Sequence, residues 1–375
     1  MLKKVRDSNY ELLRVISMMA IVMHHSITHG QIIENTSDTV NFIFTSILLF
    51  CLFHVNCYAL ITGYYQFNSK FKLKKIIDII FQVFFYNLLF NIVFKYFGII
   101  DYSTDDFLHQ ISPFNLSSYW FIKCYIGVYV ISPFLNNWLK EINRATFKKI
   151  ILLLFCFISI FPVFTNGRLY SSSGFGPEQI FFMYVIGAYI RKYDLNKNLL
   201  NKLNISQKRF VYFSLFLIFF CFNLSSLYFF KTLKYLDSEV LNDLADGFIF
   251  YNRLYNNPLI VLYSVSLFLF FGTFNFRCKF INYIGSLTLG IYLVHQSYYV
   301  KNNLYVWLGI DLGSGCFYGL KYVLKTIIIT ILIFLISGLI EQARIWIFRI
   351  LGKIKINRKI YNYINKFLID LNDIK

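Results

Sequence analysis

Long apolar runs recur from one end of this 375-residue chain to the other, and each is close to the length that crosses the ~30 Å hydrocarbon core of a bilayer. Ten are read, at about 10–28, 40–64, 76–97, 119–139, 149–165, 176–190, 210–230, 257–274, 280–299 and 321–345. A backbone in hydrocarbon must satisfy its own hydrogen bonds, so runs of this length fold as helices. The expectation is an all-α integral membrane protein of about ten transmembrane helices. Residues 1–350 form one membrane domain, because the loops are too short to hold another. Residues 351–375, with Ile, Tyr and Phe among Lys and Arg, read as a cytoplasmic interfacial tail. The first run carries Arg14, His24 and His25 and has no small-residue cleavage site after it, unlike a cleaved signal peptide.

A net charge of +18 suggests a nucleic-acid partner until its distribution is followed. Most of the 37 Lys and Arg fall in the amino-terminal tail, in 66–75, 140–149, 191–209 and 275–280, and beyond Arg344. The intervening loops hold few, and 98–118 holds none. This is the positive-inside pattern, so both termini are expected to be cytoplasmic and the bilayer, not nucleic acid, is the partner. The expected location is the cell (plasma) membrane, multi-pass. The seven Cys are scattered with no CxxC pair, and no His, Cys, Asp and Glu set has ligand spacing, so neither a disulfide framework nor a metal is expected.

Ionisable groups inside such runs are costly and usually face a cavity or a partner. In Tyr10-Glu-Leu-Leu-Arg14 through His25, the spacing of eleven residues is three turns plus roughly 20°, which places Arg14 and His25 on one face about 16 Å apart. His24 is rotated roughly 80° away from that face. His29, one turn beyond His25, points similarly and reads as an entrance or loop residue. An imidazole can take a proton from an alcohol or itself attack an activated acyl group. A guanidinium matches a phosphate. Together they suggest a phosphorylated cofactor reaching in from the cytoplasm with its reactive end pointing outward. Snorkelling of Arg14 and simple interfacial hydrogen bonding of His25 are the alternatives at this stage.

Four stretches then resemble the membrane-bound acyltransferase 3 family: Glu11-Leu-Leu-Arg14 with His25; Asn56 to Gly63-Tyr64 followed by Lys70, Lys72, Lys74 and Lys75; Tyr119-Trp120 to Pro133-Phe134; and Gly285 to Gly290-Ile-Tyr292-Leu-Val-His295. The resemblance implies a ten-helix fold that takes acyl-CoA from the cytoplasm and serves an acceptor across the membrane. It implies His25 as the catalytic histidine and Arg14, Lys70, Lys72, Lys74 and Lys75 as donor-binding residues. Glu11, His29, Tyr64, Tyr119, Trp120, Tyr292 and His295 are expected in or beside the site. Four lysines stand where the family often has arginine, which keeps the charge but loses the bidentate fork. The chain is expected to be a standalone form without the extracytoplasmic hydrolase-like domain of many relatives.

The expected function is transfer of an acyl group, acetyl first, from acyl-CoA to a hydroxyl of a cell-surface or capsular polysaccharide or its lipid-linked precursor. Acetyl-CoA is the cofactor, as donor, and an extracytoplasmic carbohydrate is the acceptor. The rivals are acyl transfer to an amino acid or small lipid, and a non-enzymatic carrier or flippase of lipid-linked sugars. A carrier would use Arg14 and His25 as a phosphate site and a proton relay. A purely structural membrane subunit gives no reason for Arg14 and His25 to share a face.

Overall fold

The computed structural model describes residues 7–33, 38–99, 119–164, 174–236, 238–309 and 320–351. Among these the chain is helical, without strands. In chain order the main helices are α1 (Ser8–His29), α2 (Asp38–Cys51), α3 (Phe53–Gln66), α4 (Leu73–Tyr96), α5 (Trp120–Glu141), α6 (Arg144–Phe164), α7 (Pro177–Lys192), α8 (Ile205–Leu233), α9 (Glu239–Tyr251), α10 (Pro258–Gly272), α11 (Lys279–His295), α12 (Tyr298–Trp307) and α13 (Leu320–Leu351).

Local chemistry explains several of the starts. The Asn204 side chain accepts from the Gln207 backbone N–H at 2.9 Å while Gln207 Oε1 accepts from the Asn204 N–H at 3.0 Å, a reciprocal capping box that opens α8. Asn143 caps α6 by accepting from Thr146 N–H at 2.8 Å. Asn257 accepts from Leu259 N–H at 2.9 Å, and Pro258 fills the first position of α10, where its missing N–H costs nothing.

Among the described residues, five helical stretches are long and apolar enough to cross a membrane: Thr39–Gln66, Leu73–Tyr96, Arg144–Phe164, Ile205–Leu233 and Lys321–Ile350. Their outward surfaces carry large apolar side chains such as Phe210, Phe222, Phe229, Leu332, Leu335 and Leu339, as lipid contact requires. α1 lies outside that set. It holds Glu11, Arg14, Ser17, His24 and His25, and it is enclosed by α2, α3, α10, α11, α12 and α13, so protein replaces lipid as its surroundings. α7 is likewise buried nearly all round, against α3, α5 and α6. Gly63 and Gly187 make the α3 to α7 crossing close: a Cβ on Gly63 would collide with the backbone of Tyr184, and one on Gly187 with that of Leu60.

Three boundaries differ from the sequence reading. The run at 40–64 is divided at Leu52, whose N–H turns back to Leu49 O at 3.2 Å. The run at 280–299 ends at His295, and a separate helix begins at Tyr298. Residues 231–256, read as loop, contain α9. The expected tail lies, from 352 on, outside the described residues, as does 100–118 of the expected outer loop.

Candidate functional site

A cavity of about 390 Å³ runs beside α1, with Arg14, Met18, Ile21 and His25 on its wall. These residues are spaced by four, three and four, the stripe that one face of a helix presents. His24, one residue off that stripe, is absent from the wall. The helix phase read from the sequence therefore separates the two adjacent histidines correctly.

At one end, His25 Nδ1 lies 3.0 Å from His295 Nε2, and His295 Nδ1 lies 2.6 Å from the carbonyl oxygen of Ile291, four residues earlier on α11. A carbonyl can only accept, so His295 carries its proton on Nδ1 and its Nε2 accepts. His25 must then donate from Nδ1, which leaves the lone pair of a neutral His25 on Nε2. The network thus fixes the tautomer a proton acceptor needs, with His295 fully buried behind His25 and off the cavity wall. His29 stands at the far side of His25, their ring centroids 5.1 Å apart, and is exposed rather than on the wall.

At the other end, Arg14 Nη1 donates to both oxygens of Glu11, at 3.1 and 3.0 Å. Among the described residues no acceptor meets Arg14 Nε or Nη2, so the remaining edge of the guanidinium is available to a ligand. Tyr58 donates to the Arg14 carbonyl at 3.0 Å and lines the cavity beside it. Lys75 reaches the same region, its Nζ 4.7 Å from the Tyr129 ring centre and 5.3 Å from that of Tyr125. Of the four lysines expected to bind the donor, Lys75 lines the cavity, while Lys70, Lys72 and Lys74 are exposed and off its wall. Lys74 and Lys75 both lie in the first turn of α4, and Lys75 shares the helix face of Asp78, Ile79 and Gln82, which line the cavity, whereas Lys74 is turned about 100° away from it.

The aromatic residues divide. Trp120 and Tyr292 line the cavity. Tyr119 does not: it is buried behind, donating to Leu293 O at 3.0 Å. Tyr64 faces a different, polar cavity on the Arg191 side and accepts from Arg191 Nη1 at 3.1 Å. Its neighbour Tyr65 takes the place on the first cavity's wall.

Several wall residues escaped the sequence reading. His54 and Tyr255 sit beside His25's end of the cavity, their rings 5.3 Å apart, and Tyr255 stacks on Trp120 at 6.0 Å and 22°. Tyr255 belongs to no long apolar run. Asn56 Nδ2 and Gln179 Nε2 hold its backbone carbonyl at 3.0 and 3.1 Å, and Gln179 also donates to Asn56 Oδ1 at 2.9 Å. On α4, Lys75, Asp78 and Gln82 line the cavity and Tyr86 continues the stripe. Polar residues at such three- and four-residue spacing in an apolar helix were a usable signal.

The sequence model of a family described as an acyltransferase domain matches residues 7–342, nearly the whole chain. No curated protein and no solved structure gives a significant match. The matched span contains both ends of the cavity, from Arg14 and Lys75 to His25 and His295, and the chain belongs to the acyltransferase 3 family.

Proposed function

We propose that this membrane acyltransferase moves an acyl group, acetyl first, from cytoplasmic acyl-CoA to a hydroxyl of a cell-surface or capsular polysaccharide or of its lipid-linked precursor, in the plasma membrane. The observation that supports the reading is the arrangement of one cavity with an unsatisfied guanidinium edge and Lys75 at one end and a His25 of defined tautomer at the other. The cations suit the phosphates of CoA and the imidazole suits a hydroxyl. The helix rise puts them about 16 Å apart, as a ligand with a phosphate at one end and a thioester at the other requires.

His25 Nε2 takes the proton of the acceptor hydroxyl as its oxygen attacks the thioester carbonyl. The C–S bond breaks, and the thiolate of CoA receives the proton back from the imidazolium. Holding donor and acceptor together lowers the entropic part of the barrier. Trp120, Tyr255 and Tyr292 supply apolar faces that suit the carbon face of a sugar ring. The functional test is the O-acetyl content of surface polysaccharide in cells with and without the gene. Loss of O-acetyl groups in the deletion is expected. Unchanged O-acetylation, with another acyl-CoA-derived ester or amide missing instead, would move the acceptor to a lipid or amino acid.

Two expectations follow for the vectorial arrangement. In a background without native cysteines, an impermeant thiol reagent should label Thr104→Cys in intact cells and leave Asn68→Cys unlabelled, because the basic loops are retained inside. The opposite pattern would reverse the side from which the donor comes. Arg14→Lys keeps the charge but loses the fork, so KM for acyl-CoA should rise roughly tenfold, and more for Arg14→Ala, with membrane expression retained. Equal donor affinity in all three proteins would reduce Arg14 to a partner of Glu11.

A further inference from the structure

Outside the histidine pair, the most completely bonded buried charge near the cavity is Glu341 on α13, 2% exposed. Arg344 grips it through Nη2 at 2.7 Å and Nε at 2.8 Å, the Tyr86 hydroxyl donates to Oε2, and Gln82 Nε2 lies 3.1 and 3.2 Å from its two oxygens. Glycine at 290 makes room for it, since a Cβ there would collide with the Glu341 carboxyl group. All these neighbours donate, so Glu341 is an ionised acceptor, and its charge is balanced by Arg344.

This settles how Gln82 is turned. A carboxylate can only accept, so the Gln82 amide must present its NH2 group to Glu341, and its carbonyl oxygen faces the other way. Gln82 is 8% exposed and lines the cavity. Among the described residues no donor meets Oε1. An acceptor without a donor is therefore held at the cavity wall by a residue that is itself more than nine-tenths buried. Along α4, Gln82 lies seven residues from Lys75, about 10 Å, on the way from the cationic end toward the interior.

We infer that Gln82 Oε1 accepts an amide N–H of the donor's pantetheine arm, and that Glu341 is the positioning residue that turns the Gln82 amide for it. The inference rests on the acyl-CoA reading. Of the parts of that donor, the arm between the phosphates and the sulfur carries amide N–H groups and no charge. It matches a neutral acceptor placed between a phosphate end and a reaction end. Asp78, nearer the cationic end, belongs to the same wall but is exposed.

The test measures binding of CoA, and of adenosine 3′,5′-bisphosphate as the same nucleotide without the arm, to purified wild type, Gln82→Met, Glu341→Gln and the double variant. Gln82→Met should weaken CoA roughly three- to tenfold and leave the bisphosphate unchanged. Glu341→Gln lets either amide orientation form, so it should weaken CoA in the same direction. In the Gln82→Met background it should add nothing, because its effect runs through Gln82. A structural role for Glu341 would instead add its loss in both backgrounds and for both ligands, and would overturn the positioning claim. If Gln82→Met does not fold, Glu341→Gln alone decides by its CoA-to-bisphosphate ratio: a changed ratio supports the inference and an equal one overturns it. CoA affinity equal in wild type and all variants rejects the Gln82 contact while leaving CoA as the donor. Absence of CoA binding by wild type rejects the donor reading itself.

Discussion

His25→Ala should lower acyl transfer from labelled acetyl-CoA by at least the ~10² to 10⁴ factor that a positioned proton acceptor contributes, while His24→Ala retains most activity. The two side chains are chemically identical and adjacent, so the contrast isolates position. His25 lines the cavity and has its tautomer set by His295; His24 is off the wall, its ring 5.3 Å from that of His54. Protein level in the membrane is measured alongside, because His25 contributes one hydrogen bond and a place on the cavity-facing side of α1. An active His25→Ala enzyme would remove the proposed chemistry. An inactive His24→Ala beside an active His25→Ala would transfer the role to the other histidine.

The second large effect concerns His295, which touches His25 but not the cavity. His295→Ala removes the acceptor for His25 Nδ1–H, so the ring is free to rotate and to change tautomer. The turnover number should fall roughly 10- to 100-fold, the cost of losing an orienting partner of a functional histidine elsewhere, with KM for the donor nearly unchanged. His295→Gln restores a side-chain carbonyl that can accept and should recover part of the loss. If His295→Ala changes only protein abundance and not turnover per molecule, His295 is a packing residue.

The all-α membrane character was legible because apolar runs of bilayer length leave a backbone few alternatives. The ordering of Arg14, His25 and His24 was legible too, since it depends on rotation about one helix and on nothing distant. What the sequence could not supply were contacts across helices. His295 was a candidate from its motif, and the Ile291 carbonyl that sets its proton is local to α11, but its place behind His25 depends on α11 lying against α1. Gln82 reads as an ordinary polar residue until Glu341, 259 positions away, is seen to turn it. Tyr255 has its backbone carbonyl held at the site by Asn56 and Gln179, each on a different helix. Lys70, Lys72, Lys74 and Lys75 form one basic run in the sequence, and only the rotation of α4 from Leu73 onward puts Lys75 on the cavity wall and Lys74 off it. The division of Tyr64 and Tyr65 between two cavities depends on packing against Arg191 and was likewise out of reach.

The central claim is that acyl groups pass from CoA to a carbohydrate hydroxyl by way of His25. Purified wild-type protein in lipid vesicles, given radiolabelled acetyl-CoA and the surface polysaccharide or its lipid-linked precursor, should place label on the carbohydrate in a form released as acetate by mild alkali. The His25→Ala protein, equally folded and reconstituted, should leave the label on CoA. Alkali-labile label on carbohydrate at the same rate with both proteins would contradict the account.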